Sequence, residues 1–141
     1  MIKAERVDRV AIGVKDLEKA MAFFYETLGI KFDEVRESKA NKYRATYSNV
    51  GLELVQSTAK DTPIADFIDK KGEGVIAICI KVPDLEEAKR DFQLKGLRLI
   101  NEVSRGNLKE AIFHPKDFYG VVITLCEYEA PHPASCAALH T

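Results

Sequence analysis

With 141 residues, 46% of them hydrophobic, the chain has the apolar material for one compact domain or two fused halves, which excludes disorder as its default state. Its 21 basic and 22 acidic side chains leave a formal net charge of -1, too little for a global field that would attract nucleic acid or an anionic membrane. No apolar stretch approaches the roughly 20 residues of a spanning helix, and the opening Met-Ile-Lys-Ala-Glu-Arg lacks the apolar segment of a signal peptide, so a soluble, cytoplasmic protein is expected.

In chain order, the β-branched segment 7–14 reads as a largely buried strand, and Asp16 then caps a helix over 17–28 whose Leu17, Ala20, Met21, Phe24 and Leu28 share one face. Gly29 stops this helix, and 31–37, 43–50 and 52–56 read as strands, the last two separated by Gly51. After Asp61-Thr-Pro, residues 64–72 have helix character and end on glycine, which suits a connector. The order then repeats: strand 75–82, a helix from the cap Asp84 to about Lys95, and strands 97–103, 108–113 and 121–127.

The repeat is visible in the residues themselves. Val14-Lys-Asp-Leu-Glu-Lys-Ala20 and Val82-Pro-Asp-Leu-Glu-Glu-Ala88 each follow an apolar run and open a helix. The chain is therefore expected to hold two βαβββ modules, 7–58 and 74–129, joined by the short helix 61–72, as one domain over 1–129. The remainder, 130–141, with two prolines and little amphipathic pattern, is expected to be a loosely held tail.

The three cysteines form no C-x-x-C pair, so neither a disulfide framework nor a thiolate zinc site is signalled. Cys79 and Cys126 lie in apolar strands as small hydrophobes, and Cys136 sits in the tail. His132 and His140, spaced in that tail beside prolines and without carboxylates, make a weak metal site.

Strand alternation sorts the faces. Val10, Ile12 and Val14 point toward the helices, leaving Arg9, Ala11 and Gly13 on the cleft side; in the second copy Ile76, Ile78, Ile80 and Val82 oppose Ala77, Cys79 and Lys81. On the last strand of each half, Glu53 matches Thr124. Four equivalent cleft positions result: Arg9, Glu53, Ala77 and Thr124.

The duplicated βαβββ pattern resembles the vicinal oxygen chelate superfamily, to which glyoxalase I, extradiol dioxygenases and bleomycin-resistance proteins belong. Three stretches look most like its methylmalonyl-CoA epimerase branch: Asp61-Thr-Pro-Ile-Ala-Asp-Phe-Ile-Asp-Lys-Lys-Gly-Glu-Gly74, Lys95-Gly-Leu-Arg-Leu-Ile-Asn-Glu102, and His114-Pro-Lys followed by Gly120-Val-Val-Ile-Thr-Leu-Cys-Glu127. The resemblance implies an α+β fold, a cupped eight-stranded mixed sheet, and a small-molecule ligand, with acyl-CoA as a candidate, bound by a homodimer.

The resemblance also implies a divalent metal held by His, Glu or Gln, His and Glu at the four cleft positions. Here only Glu53 is competent. A guanidinium at Arg9 repels a cation, alanine at position 77 has no lone pair, and the hydroxyl of Thr124 is a poor substitute for carboxylate. No cofactor is therefore expected unless a divalent metal is rescued by other ligands. The family's proton transfer beside a thioester carbonyl relies on such an ion, so the expectation is a divergent relative that binds a small acidic or acyl-thioester ligand without metal. Arg9 would then either pair with Glu53 or capture a ligand carboxylate or phosphate.

The alternative is an active epimerase, isomerase or glyoxalase-like lyase acting on a CoA or glutathione thioester with rearranged groups. Glu53 and His114 are then the catalytic candidates. Arg9, Glu53, Ala77, Lys81, His114, Lys116 and Thr124 form the candidate ligand-binding set, the two lysines for phosphates. Glu37 is a candidate second base if the alignment shifts by a residue or two.

Overall fold

The computed structural model of the chain describes residues 1–129; the expected tail, with Cys136, His132 and His140, lies outside the described residues. The elements run β1 (Arg6–Gly13), α1 (Leu17–Leu28), β2 (Arg36–Ser38), β3 (Tyr43–Tyr47), β4 (Leu52–Ser57), α2 (Pro63–Lys71), β5 (Gly74–Lys81), α3 (Leu85–Leu94), β6 (Leu99–Arg105), β7 (Leu108–Phe113) and β8 (Ile123–Glu127), with a 3-10 turn at Pro115–Asp117 before β8. The eight strands form one mixed sheet in the order β2-β3-β4-β1-β5-β8-β7-β6. Strands β1 and β5 meet antiparallel at its centre, and each pairs in parallel with the last strand of its own copy, β4 or β8.

The repeated Asp-Leu-Glu motifs place the two equivalent helices. Asp16 accepts from the Lys19 amide at 3.1 Å and Asp84 from the Glu87 amide at 3.0 Å, satisfying N-terminal donors that the helix cannot use. Leu17 and Leu85, the residues following the caps, are both buried. Leu17 packs with Val14 and Leu54 against Phe24 and Phe32, while Leu85 packs with Val82, Ala88, Phe113 and Leu125. One face of the sheet is thus covered by α1 and α3, and the opposite face keeps a separate cluster of Ala11, Tyr43, Ala45, Val55 and Ala77.

Helix α2 connects the copies and borders this second cluster. Thr62 at its N-cap is buried; its Oγ1 accepts from the Ala65 amide at 3.0 Å and lies 2.6 Å from Ser57 Oγ. Thr62→Ala should lower stability by ~1–2 kcal/mol through loss of the cap, read as a lower urea midpoint. An unchanged midpoint would show that α2 does not depend on this cap.

The expected strand over 31–37 is the main departure. Only Arg36–Ser38 forms a strand, and Phe32 makes an isolated bridge to Ser48. Phe32 and Val35 turn inward beside Phe24, and the Asp33 amide bonds the Tyr47 carbonyl at 2.8 Å, so core packing takes precedence over a regular ladder. The expected strand over 97–103 begins and ends two residues later, because Leu97 packs against the core cluster under α3 and its amide closes the end of that helix on the Phe92 carbonyl.

Candidate functional site

Arg9 lies on β1 opposite Cys79 of β5, which in turn pairs with Thr124 of β8. Two residues along, Ala11 pairs with both Ala77 of β5 and Glu53 of β4. Because side chains two apart share a face, the four expected cleft positions converge around the central seam. Glu53, Ala77 and Thr124 line a cavity of about 230 Å³ together with Cys79, Asn101 and Glu110; apolar side chains from Val55, Ile76, Ile112 and α2 complete its wall.

Arg9 is 1% exposed, and each nitrogen of its guanidinium serves a different carboxylate. Nε donates to Glu53 Oε1 at 2.9 Å, Nη1 to Asp8 Oδ2 at 2.6 Å, and Nη2 to Glu110 Oε2. Burial works against the charge of Arg9, but the surrounding groups, Cys79 first and then Glu110 and Glu53, more than offset it and hold the pKa well above its ordinary value. Glu110 is raised as well, in its case toward the neutral form: burial lifts its pKa although Arg9 opposes the shift. Tyr47 stacks against this network, its ring centroid 5.0 Å from Arg9 Cζ.

The internal ion pair that the sequence allowed is therefore a four-membered cluster. With Nη1 also 3.8 Å from Cys126 Sγ, four of its five N–H groups are directed at partners inside the protein. Alternation missed Asp8 because β1 carries a bulge: Val7 opposes Ile80 and Arg9 opposes Cys79, so Asp8 is an extra residue that turns inward beside Arg9. Asp8 Oδ1 also accepts from Tyr128 Oη at 2.6 Å and from Arg6 at 3.3 Å. Glu110 had a legible signal, a lone acid between Leu108 and Ile112 on an otherwise apolar strand face.

A second guanidinium spans the cup. Arg105, on edge strand β6, donates to Tyr47 Oη on β3 at 2.6 Å and lies 5.3 Å from the Tyr43 ring centroid and 5.7 Å from that of Tyr47. Burial pushes the Tyr43 hydroxyl up to about 12, so it remains a neutral phenol in the cavity wall. Burial likewise raises the thiols, Cys79 well above its ordinary value and Cys126 to about 12, and both are free and buried as expected.

The other sequence candidates lie away from this cluster. His114 is not among the cavity-lining residues; its Nδ1 accepts from the Lys116 amide at 3.1 Å and caps the 3-10 turn. Lys116 is exposed outside the cavity wall. Lys81 pairs with Glu5 at 2.7 Å and sits over the Tyr128 ring, also outside the lining. Glu37 is on the wrong face: it opposes Arg44, whose guanidinium reaches Glu18 on α1, so both point toward the helices.

A divalent cation does not fit these donors. Arg9 supplies positive charge at the centre of the carboxylates, Ala77 supplies no donor and Thr124 only a hydroxyl. Among the described residues, no group of three His, Cys, Asp or Glu side chains is disposed to hold an ion.

A duplicated βαβββ cup with its cavity at the antiparallel seam defines a glyoxalase-like protein. Residues 8–113 match the Glyoxalase/Bleomycin resistance protein/Dioxygenase superfamily, and the chain belongs to it. Several of the relatives it matches are named as epimerases. It is 36% identical over 127 residues to the mitochondrial methylmalonyl-CoA epimerase of Homo sapiens, covering 85% of this chain and 72% of that protein. It is 30% identical over 128 residues to the ethylmalonyl-CoA/methylmalonyl-CoA epimerase of Cereibacter sphaeroides, covering 85% and 96%. A methylmalonyl-CoA epimerase solved with methylmalonyl-CoA and NH4+ superposes with a TM-score of 0.83 at 26% identity, covering 91% of this chain and 97% of that one. No helix among the described residues is long and apolar enough to cross a membrane.

Proposed function

We propose that this protein binds an acyl thioester in the cavity at the seam and does not carry out metal-assisted proton transfer. The observation behind this reading is Arg9, a buried cation bonded to Glu53, Glu110 and Asp8 at a position where the resemblance implies a metal ligand. Transition-state help from a dication is worth more than the roughly 3 kcal/mol of a single oxyanion contact, and a guanidinium enclosed by three carboxylates cannot replace it. The acyl-thioester part is supported by relatives named for methylmalonyl-CoA and by a neighbour solved with that thioester. The mainly apolar wall of the cavity suits an acyl chain.

A second reading rests on Glu53 and Glu110, which both border the cavity. One carboxylate would take the proton beside the thioester carbonyl and the other return one, as the names of the relatives favour. Thr124 and Asn101 would be the neutral donors available to the enolate oxygen.

Deuterium exchange at C2 of methylmalonyl-CoA, run with EDTA and with added cobalt and paired with calorimetry of propionyl-CoA and CoA, separates the readings. Binding of propionyl-CoA with exchange at the buffer rate in both arms is expected. Exchange that persists in EDTA would establish carboxylate-driven catalysis, and exchange that requires cobalt would overturn the metal-free account.

A further inference from the structure

The charge of the cavity wall points to a narrower class of ligand than the fold alone. Among the described residues, Glu53 and Glu110 are the only formally charged side chains that line the cavity, and no lysine or arginine is in its wall. Arg9 sits behind them with all three nitrogens committed, and one oxygen of each glutamate accepts from it. Asp8 shares Arg9 and also accepts from Arg6 and Tyr128, so the two glutamates do not have this guanidinium to themselves. Arg105 offsets part of this charge from outside the lining, where it is stacked on Tyr43 and Tyr47.

We infer that the cavity selects ligands whose head group donates hydrogen bonds, an ammonium or a hydroxyl on a short aliphatic or acyl body, and disfavours a free carboxylate. The neutral polar groups present, Thr124 and Asn101, can serve such a head group, whereas a carboxylate would meet like charge with no cation exposed to receive it. The apolar remainder, including Ile64, Phe67, Ile76 and Ile112, takes the chain. For thioesters this inference rests on the binding function proposed above, and it changes the acyl group expected from a dicarboxylic one to a hydroxy- or aminoacyl one.

Matched small probes test the charge preference without the thioester. Butylamine, butanol and butyrate titrated at pH 7 into protein with 13C-labelled isoleucine methyls should give amine and alcohol shifts at Ile64, Ile76 and Ile112, with butyrate weaker by about tenfold or more. Butyrate binding as well as the amine, or no probe shifting these methyls, overturns the inference. In parallel, β-alanyl-CoA should bind more tightly than methylmalonyl-CoA by calorimetry. If the amine shifts the methyls but no CoA thioester binds, the thioester reading fails and the charge preference stands. Glu110→Gln should shrink the amine-to-carboxylate ratio in protein shown to be folded by circular dichroism; a ratio unchanged in the folded variant counts against the assignment of Glu110, and the wild-type comparison decides the preference whether or not the variant folds.

Discussion

Arg9→Ala should lower unfolding free energy at pH 7 by ~3–5 kcal/mol, the range for removing one partner from a buried ionic cluster. Asp8 keeps Tyr128 and Arg6, but Glu53 and Glu110 lose their only direct cation. The cause is stranded negative charge, so the loss should depend on pH. In the wild type the pKa of Glu110 is already raised, so its neutral form favours the folded state below the ordinary carboxylate pKa of ~4.3, and that contribution is lost as pH rises through the raised folded value. Without Arg9 the already raised pKa of Glu110 should rise further. The deficit in urea midpoint relative to wild type should therefore narrow from pH 7.5 to pH 5. Combining Arg9→Met with Glu53→Gln and Glu110→Gln removes the charges together and should recover most of the stability, as replacement of whole buried ionic groups does elsewhere. A deficit independent of pH would mean that Arg9 acts by packing alone.

Purified wild-type protein dialysed against cobalt should retain no stoichiometric ion by elemental analysis, whereas the combined Arg9→His, Ala77→His and Thr124→Glu variant should retain about one per chain. The three altered positions and Glu53 surround the seam between β1 and β5, and Ala77 borders open cavity that can take an imidazole. The exchange replaces a singly charged group among carboxylates with a doubly charged one, so charge favours it as well as ligand number. Stoichiometric cobalt in the wild type would show that other donors hold it and would refute the reading of Arg9 as its replacement.

The duplication, the helix caps and the four converging positions were legible because the motifs opening at Val14 and Val82 fix the strand phase in both copies. From that phase, alternation carries Arg9 and Ala77 to the cleft. It fails at Asp8, since a bulge adds a residue without marking it in the sequence, and at 31–35, where Phe32 and Val35 are used in the core instead of in a ladder. Glu37 illustrates a further limit: a shift of one residue in an edge strand moves a side chain to the other face. Lys81 and Lys116 carry plausible charge for phosphate, but Glu5 already claims the first and neither borders the cavity. The commitment of Arg9 to three partners could not be read, because Glu110 comes from a distant strand and nothing local to Arg9 announces it.

Arg105 gives the two copies a second tie beyond the seam between β1 and β5. The copies are sewn together at β1 and β5, and the guanidinium ties the far edge of the second, β6, to Tyr43 and Tyr47 of the first. The sheet is thereby drawn into a ring of contacts whose last link is a polar clasp. Ancestral symmetry persists in the backbone, while the clasp and the acid on β7 have no counterparts across the pseudo-dyad, so each half now depends on the other for its own completion.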